Sequence, residues 1–292
     1  MVETVSAPAD KLSQRALAAL GKLPPFSPIL NKLLASLAGE DVSFAKLGDL
    51  IEKDTVVAGN IMHLVNSALY ARRATITSVR HALALLGMDK VRNTLLGMSI
   101  SRMWGQVKMP PTWSMARFNR HSAAVAVLSD QIASRVQTDC PEGAFVAGLL
   151  HDLGRLLIAL GLPDEFARLI KLHEHSEKSW TDCERELLGF THAELSALAL
   201  VTWRFPEQVQ IAVRDHHHPP TFQPGGMVPL SAIVDAANQY VNSTGDSIVA
   251  GKVVGAEDAG AIAALGIPEE NLSRLLADFQ AEQAAMAGFF KS

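Results

Sequence analysis

Cysteine, net charge and long apolar runs are all scarce in this 292-residue sequence. Only Cys140 and Cys183 are present, far apart and without the spacing of a metal-binding pair, which suits a reducing compartment. The net charge of −4 gives no general attraction to nucleic acid or to an anionic membrane surface. No uninterrupted apolar run approaches the roughly 18 residues that span a bilayer. We therefore expect a cytoplasmic protein without a membrane segment or a nucleic-acid partner.

Helix signals recur along the whole chain, whereas strand signals are almost absent. Hydrophobic residues make up 48% of the sequence, enough for a substantial core, and they fall at the spacing of amphipathic helices. Ser27 and Pro28 are typical of a helix start, and a leucine-rich run follows them. The pattern predicts an all-α fold with helices over 27–38, 55–66, 78–87, 88–103, 113–136, 141–161, 206–215, 228–242 and 268–287.

The sequence also indicates how the chain is divided. Two consecutive prolines in the segment 105–112 cannot sit inside a helix and indicate a linker. We predict a flexible N-terminus at 1–14, an N-terminal helical lobe at 15–104, a second helical lobe at 112–242, and a loop with a C-terminal helix at 243–292. The apolar face of that last helix could dock on its own lobe or on a second chain, so a homodimer is one of two possibilities.

Imidazoles and carboxylates fall on the apolar faces of several helices in the second lobe. The stretch AGLLHDLGRLL places a His-Asp doublet inside an otherwise apolar run, although unpaired buried polar groups cost a few kcal/mol each. Taken singly, each such residue has an ordinary explanation, such as a hydrogen-bonded core histidine. Taken together they form an ordered series of ligand types: His121, His151, Asp152, His192, His216, His217 and Asp235.

A mixed histidine and aspartate set is the ligand composition that suits Zn, Mn or Fe. A carboxylate between two histidine groups can also bridge two cations about 3.5–4 Å apart. The sequence therefore predicts a site for one or two divalent transition-metal ions. Two Thr–Glu pairs nearby, Thr181 with Glu184 and Thr191 with Glu194, predict capping boxes at helix starts. We assign Thr191 and Glu194 to capping rather than to chemistry.

The sequence resembles the HDOD family of bacterial regulatory proteins. The resemblance rests on LPPFSPILNKLLASL, NSALY at 66–70, ITSVRHALALLG at 76–87, AGLLHDLGRLLIAL, ELLGFTHAELSALALVTWRFP and IAVRDHHHPP, and it covers about residues 20–240. It implies a two-lobed helical architecture whose C-terminal lobe is similar to the HD superfamily of metal-dependent phosphohydrolases. The seven residues of the series match the order of the metal ligands in the HD-GYP branch, with Asp152 as the bridging carboxylate.

The sequence departs from that catalytic branch at three points. Arg155 stands where the branch has lysine, and a planar guanidinium cannot replace a compact ammonium in every role. Arg117 stands where the branch often has a glutamate ligand, and HHHPPTFQPGG replaces the GYP signature. We therefore do not expect cleavage of cyclic di-GMP, and we assign catalytic roles to Asp152 and Arg155 only if the protein is active.

Two functional hypotheses remain at this point. The first is a signalling protein that binds a partner protein or a small phosphorylated ligand and retains the metal site. The second is a metal-dependent phosphohydrolase, either a phosphodiesterase or a nucleotidase. The missing lysine and glutamate favour the first, which we prefer, whereas the retained paired histidines and Asp235 favour the second.

The N-terminal lobe contains no catalytic constellation. Its polar residues have two interpretations: a loop and helix that pack against the second lobe with arginine side chains on the surface, or an anion or partner site between the lobes. They are Asn66, Tyr70, Arg72, Arg73, Arg80, His81, Lys90, Arg92 and Asn93.

Overall fold

The computed structural model describes residues 7–27, 30–33, 44–67, 76–223, 225–248 and 259–286. Within these ranges the chain is helical and forms no strand, apart from an isolated bridge between Thr138 and Val228. The all-α prediction is confirmed. Of the helix predicted over 27–38, residues 30–33 are helical and bury Leu30 and Leu33, whereas 28–29 and 34–38 lie outside the described residues.

Local caps fix the helices of the N-terminal lobe. The Asp54 side chain accepts hydrogen bonds from the amides of Val56 and Val57, and Ser78 caps another helix in the same way. Gly87 separates two helices at φ +80°, a conformation that favours glycine. The helices are α2 (Phe44–Glu52), α3 (Thr55–Val65), α4 (Val79–Leu86) and α5 (Met88–Trp104).

The second lobe is built around one long helix, α6 (Met115–Ala133), which Ser114 caps. A short 3-10 turn at Pro141–Gly143 leads into the buried helices that follow. These helices are α7 (Ala144–Leu150), α8 (Leu153–Gly161), α9 (Pro163–Glu174), α10 (Trp180–Leu188), α11 (His192–Thr202), α12 (Glu207–Asp215) and α13 (Leu230–Ser243). Helices α7 and α13 pack on α6, and α11 packs on α8 and α12, so the candidate site lies where these helices meet.

The first helix, α1 (Ala7–Ala18), packs against the second lobe, on α8 and α11. Residues 7–14, which we predicted to be flexible, therefore form a helix in the structure. Ala16 and Ala19 are buried there, and a Cβ atom on Gly161 would lie 3.0 Å from the Ala16 Cα. The small residues of α1 allow this close approach, and a pattern search for large apolar side chains overlooks them.

The last helix, α15 (Glu269–Met286), docks on α6 of its own chain, after a short helix α14 (Gly260–Ala263). It buries Leu275 and Phe279. The buried carboxylate of Glu282 pairs with Lys90 of the N-terminal lobe and accepts a hydrogen bond from Gln131 of α6. Helix α15 thus connects the two lobes. Its apolar face docks within its own chain, which is one of the two possibilities that the sequence left open.

One stretch of the second lobe, Pro141–Gly161, is long and apolar enough by composition to cross a membrane, with a mean hydropathy of 1.5. In the structure 89% of that window is buried inside the fold, as in the core helix of a globular protein. The His-Asp doublet and Arg155 interrupt its apolar run.

Asp130 lies where α5, α6 and α15 meet, and it gives the fold a specific pH dependence. Burial and the neighbouring Glu282 raise the pKa of Asp130 to about 6, against the opposing effect of Lys90. The folded state therefore keeps this proton up to a higher pH than the unfolded state does. Relative to the Asp130→Asn variant, the wild-type free energy of unfolding should fall by about 2–3 kcal/mol as the pH rises from 4 to 7.

Urea denaturation of both proteins at several pH values between 4 and 7.5 measures this difference. The asparagine can still accept the hydrogen bond that Asn93 Nδ2 donates to Asp130 Oδ1 over 2.9 Å. A stability difference that stays constant across the pH range would show that Asp130 ionises normally in the folded state.

Candidate metal centre

His151 and Asp152 occupy a turn between α7 and α8, rather than the middle of one helix. The Ser196 hydroxyl holds this turn against α11, because it donates to the His151 carbonyl over 2.9 Å and accepts from the Gly154 amide over 2.7 Å. A Cβ atom on Gly154 would lie 2.1 Å from the His192 carbonyl oxygen. The turn therefore depends on a close approach between two backbones, and this brings His192 beside the doublet.

A first group of candidate ligands consists of His121, His151 and Asp152. The Nε2 atom of His121 lies 3.6 Å from Asp152 Oδ2, and that of His151 lies 3.3 Å from the same oxygen. All three side chains are buried. Their donor atoms lie within 4.8 Å of one another, which is a spacing that one metal ion can bridge.

A second group consists of His192, His216 and His217, again with donor atoms within 4.8 Å of one another. His192 and His216 are buried, whereas His217 is partly exposed. The Nε2 atoms of His192 and His217 are 3.0 Å apart. Asp152 joins the two groups, because its Oδ1 atom lies 2.9 Å from His192 Nε2 while its Oδ2 atom faces the first group.

Backbone carbonyls orient three of the imidazoles. A carbonyl oxygen can only accept, so the Nδ1 atom of each ring carries the proton and donates it; the pairs are His121 to Asp246 at 2.6 Å, His151 to Gly148 at 2.8 Å and His216 to Val213 at 2.7 Å. The Nε2 atom of each neutral ring is then left with a free lone pair. These three Nε2 atoms are buried and have no hydrogen-bond partner, which is the arrangement of histidines that bind a metal.

The electrostatics of the site favour the neutral form of three imidazoles and the ionised form of Asp152, whereas at His192 burial is outweighed by Glu184 and Asp152, which raise its pKa. Burial and the neighbouring His151 lower the pKa of His121 to about 4, and burial together with His192 lowers that of His217 to about 2. Burial and the adjacent imidazoles likewise lower the pKa of His216. Burial opposes the ionisation of Asp152, but the Arg155 guanidinium and the imidazoles around it hold its pKa well below the usual value.

Arg155 lies beside the site without leaving the protein interior. Its Nε atom is 2.9 Å from Asp152 Oδ1, and its guanidinium carbon lies 5.5 Å from the centre of the Trp180 ring. The guanidinium therefore balances a buried carboxylate and stacks on an aromatic face. This position accounts for Arg155 without a substrate.

Glu184 belongs to the site, although the sequence predicted that it is part of a helix cap. Ser179, not Thr181, caps α10, so Thr181 and Glu184 form no capping box. Glu184 is instead buried and accepts the Nδ1 proton of His192 over 2.7 Å. A signal was available, because Trp180, Glu184 and Leu188 share one apolar face at four-residue spacing. The second predicted box, Thr191 with Glu194, is confirmed.

The structure brings together six of the seven predicted ligands, and Asp235 is in neither group. Its partly buried carboxylate accepts a hydrogen bond from Gln239 Nε2 over 2.9 Å. Burial raises the pKa of Asp235, in contrast to the ionised Asp152.

The predicted anion or partner site of the N-terminal lobe is covered only in part. Tyr70, Arg72 and Arg73 lie outside the described residues. Arg80 pairs with Asp49 over 2.7 Å and with Glu52 over 3.6 Å on the surface of that lobe. Arg80 and His81 are exposed, whereas Asn93 is buried and bonds to Asp130. The described part of this region therefore fits packing against the second lobe with some side chains on the surface.

Comparison with known proteins places this geometry in a family. A model of the HDOD domain matches residues 23–219, which is more than half of the chain. An uncharacterized protein of Treponema pallidum (strain Nichols) is 21% identical over 234 residues, covering 79% of this chain and 44% of that protein. The chain thus spans less than half the length of this relative.

Three solved structures share the fold at low sequence identity. An HDOD domain protein of unknown function from Geobacter sulfurreducens has a TM-score of 0.74 at 22% identity, and the alignment covers 95% of this chain and 98% of that one. A protein of Marinobacter aquaeolei VT8, named provisionally for signal transduction, has a TM-score of 0.70 at 21% identity, with 99% and 68% covered. A protein of Shewanella amazonensis SB2B, named provisionally as a phosphohydrolase, has a TM-score of 0.71 at 23% identity, with 94% and 98% covered.

Proposed function

Because the chain belongs to the HDOD domain family, we propose that it is a bacterial signalling protein whose second lobe binds one or two divalent transition-metal ions. The signalling and phosphohydrolase names of its structural neighbours support both parts of this proposal. We further propose that it works in the cytoplasm and acts through a partner protein or a small phosphorylated ligand.

One observation carries the metal site. The Nε2 atoms of His121, His151 and His216 are buried and unpartnered, while their Nδ1 atoms are held by carbonyls. Leaving a buried polar atom without a partner costs about 1–3 kcal/mol each, so three of them in one place need a compensating ligand. A cation of Fe, Mn or Zn satisfies imidazole nitrogens and a carboxylate together.

The two groups define which residues would hold which ion. His121, His151 and Asp152 would hold one, and His192, His216 and His217 a second, with Asp152 shared between them. A bound ion would supply positive charge and would lower the pKa of a coordinated water. The chain's own contribution is to hold Asp152 ionised and His121, His216 and His217 neutral within a buried site.

Burial decides our preference for regulation over hydrolysis. Five of the six grouped ligands are at most 1% exposed, so a substrate would have to reach the ions past His217. Closed sites of this kind are typical of structural metals, whereas catalytic sites keep an open position. Arg155 is also engaged by Asp152 and Trp180 rather than directed at a ligand.

Hydrolysis of a phosphodiester or nucleotide is the second candidate, and the position of Asp152 between the two groups favours it. The assay is turnover of a generic phosphodiester and of nucleotides with Mn, Fe or Zn. Turnover that Asp152→Asn abolishes would establish the second candidate. A metal-loaded protein that turns over none of these compounds would support regulation.

Protein purified without added metal is expected to contain one to two transition-metal ions per chain, measured by elemental analysis. Removing them with a chelator should lower the melting temperature, since a metal at 1,000 times its Kd stabilises the folded state by about 4 kcal/mol. Adding back Mn or Fe should restore it. A metal content near zero that reconstitution does not raise would refute the proposed metal site.

A further inference from the structure

Glu184 accepts three hydrogen bonds with two oxygen atoms. Trp180 Nε1 donates to its Oε1 atom over 2.8 Å. The backbone amide and the Nδ1 atom of His192 both donate to its Oε2 atom, over 2.9 Å and 2.7 Å. The side chain is fully buried, so no water competes for these bonds. Both of its oxygens must therefore act as acceptors.

Only a carboxylate provides two acceptor atoms in this position. A glutamine has the same shape but presents one oxygen and one NH2 group, and the NH2 group can only donate. If the NH2 group pointed at Trp180, it would meet the indole N–H, which is also a donor. If the NH2 group pointed at His192, it would meet the Nδ1–H of the imidazole, which is again a donor. In the second orientation the imidazole would have to move its proton to Nε2, the atom that faces Asp152 and the other histidines.

We propose that Glu184 is a positioning residue for the metal centre, which fixes His192 in the tautomer that presents its Nε2 lone pair to a cation. This inference rests on the proposed metal site. Its role differs from that of the backbone carbonyls at the other histidines, because a carboxylate also makes the imidazole a stronger electron donor. Trp180 contributes by engaging the other oxygen, so that no neutral isostere can replace Glu184.

The same contacts connect His192 to the charged pair beside it. His192 Nε2 lies 2.9 Å from Asp152 Oδ1, which pairs with Arg155, and the Arg155 guanidinium stacks on Trp180. These contacts form a closed ring beside the second group, in which Trp180 touches both Glu184 and Arg155.

The test is Zn²⁺ affinity, measured by competition with a chromophoric chelator in the full-length protein. Glu184→Gln should weaken Zn²⁺ binding by about 10–100-fold, the range found for outer-shell partners of ligating histidines. Trp180→Phe alone should bind Zn²⁺ more tightly than Glu184→Gln, because the Glu184 Oε2 atom that accepts both His192 hydrogen bonds remains. The double variant should bind more tightly than Glu184→Gln, because removal of the indole N–H lets the glutamine oxygen face His192.

Glu194→Gln is the matched control, since Glu194 caps the same helix α11 and glutamine serves equally in a capping box. Its Zn²⁺ affinity should equal that of the wild type. Thermal melting of the metal-free variants separates an effect on folding from an effect on binding. If Glu184→Gln does not fold, the double variant is compared with Trp180→Phe. The double variant should then bind Zn²⁺ at least threefold more weakly than Trp180→Phe. Wild-type affinity in Glu184→Gln, or a double variant no tighter than Glu184→Gln, would overturn the inference. A wild type that binds no Zn²⁺, Mn²⁺ or Fe²⁺ would refute the proposed function instead.

Discussion

The Asp152→Asn variant is expected to lose its metal, with a dissociation constant raised more than about 100-fold, since loss of an outer-shell partner alone costs 10–100-fold. Among the residues that the structure describes, Asp152 is the carboxylate that faces both histidine groups, through Oδ2 to the first and through Oδ1 to the second. An amide has no negative charge and offers a single acceptor atom, so it cannot serve both groups. Elemental analysis of the variant, purified without added metal, measures the number of metal ions that each chain retains.

Asp278→Asn is a suitable control for this charge change. Asp278 pairs with Arg135 over 2.8 Å on the outside of α15, away from both groups, and surface pairs contribute little to stability. Its metal content should equal that of the wild type. If the Asp152→Asn protein keeps half or more of its metal, Asp152 does not join the two groups.

The Gly154→Ala variant is expected to lose about 3 kcal/mol or more of folding free energy, at the upper end of what overpacking costs. The added methyl group would meet the carbonyl of His192 at 2.1 Å, and a backbone carbonyl cannot rotate away as a flexible side chain can. The turn that carries Asp152 and the helix start that carries His192 must then separate. The melting temperature should fall by about 5 °C, and Zn²⁺ affinity should fall with it.

Gly59→Ala provides the opposite expectation within the same chain. Gly59 is exposed in the middle of α3, and its added methyl group would meet nothing within 4 Å. Alanine is the better helix former by about 0.5–1 kcal/mol, so this variant should be more stable than the wild type. Thermal denaturation of both variants side by side gives the comparison. Equal melting of Gly154→Ala and the wild type would mean that the two backbones are not in close contact.

Helical periodicity was sufficient to predict most of this fold. Gly87 ends one helix and starts the next, and α12, α13 and α15 lie within a few residues of their predicted bounds, because caps and apolar spacing are local properties. The docking of α1 is a different matter, since it depends on small residues that approach Gly161 from far along the chain. No local pattern contains such a contact.

The candidate site likewise contains residues that local patterns predict and a residue whose role depends on long-range contacts. The order of His121, His151, Asp152, His192, His216 and His217 identified the six side chains that the structure brings together, because ligand types on apolar faces are visible in a sequence. The role of Glu184 was not visible as such, since an acidic residue three positions after a threonine fits a helix cap equally well. Two features distinguish the two roles: Ser179 caps the helix two residues earlier, and Glu184 shares an apolar face with Trp180 and Leu188.

The packing of α1 has a consequence for how this protein can be divided. Residues 7–22 pack on the second lobe, and the chain then passes through the N-terminal lobe and returns, so the boundary at 105–112 separates two stretches of sequence but not two independent folding units. A fragment that starts at residue 112 would expose the surfaces of α8 and α11 that Ala16 and Ala19 cover. Gene fusions or domain swaps that aim to transplant the histidine-rich lobe must therefore carry the first two dozen residues with it.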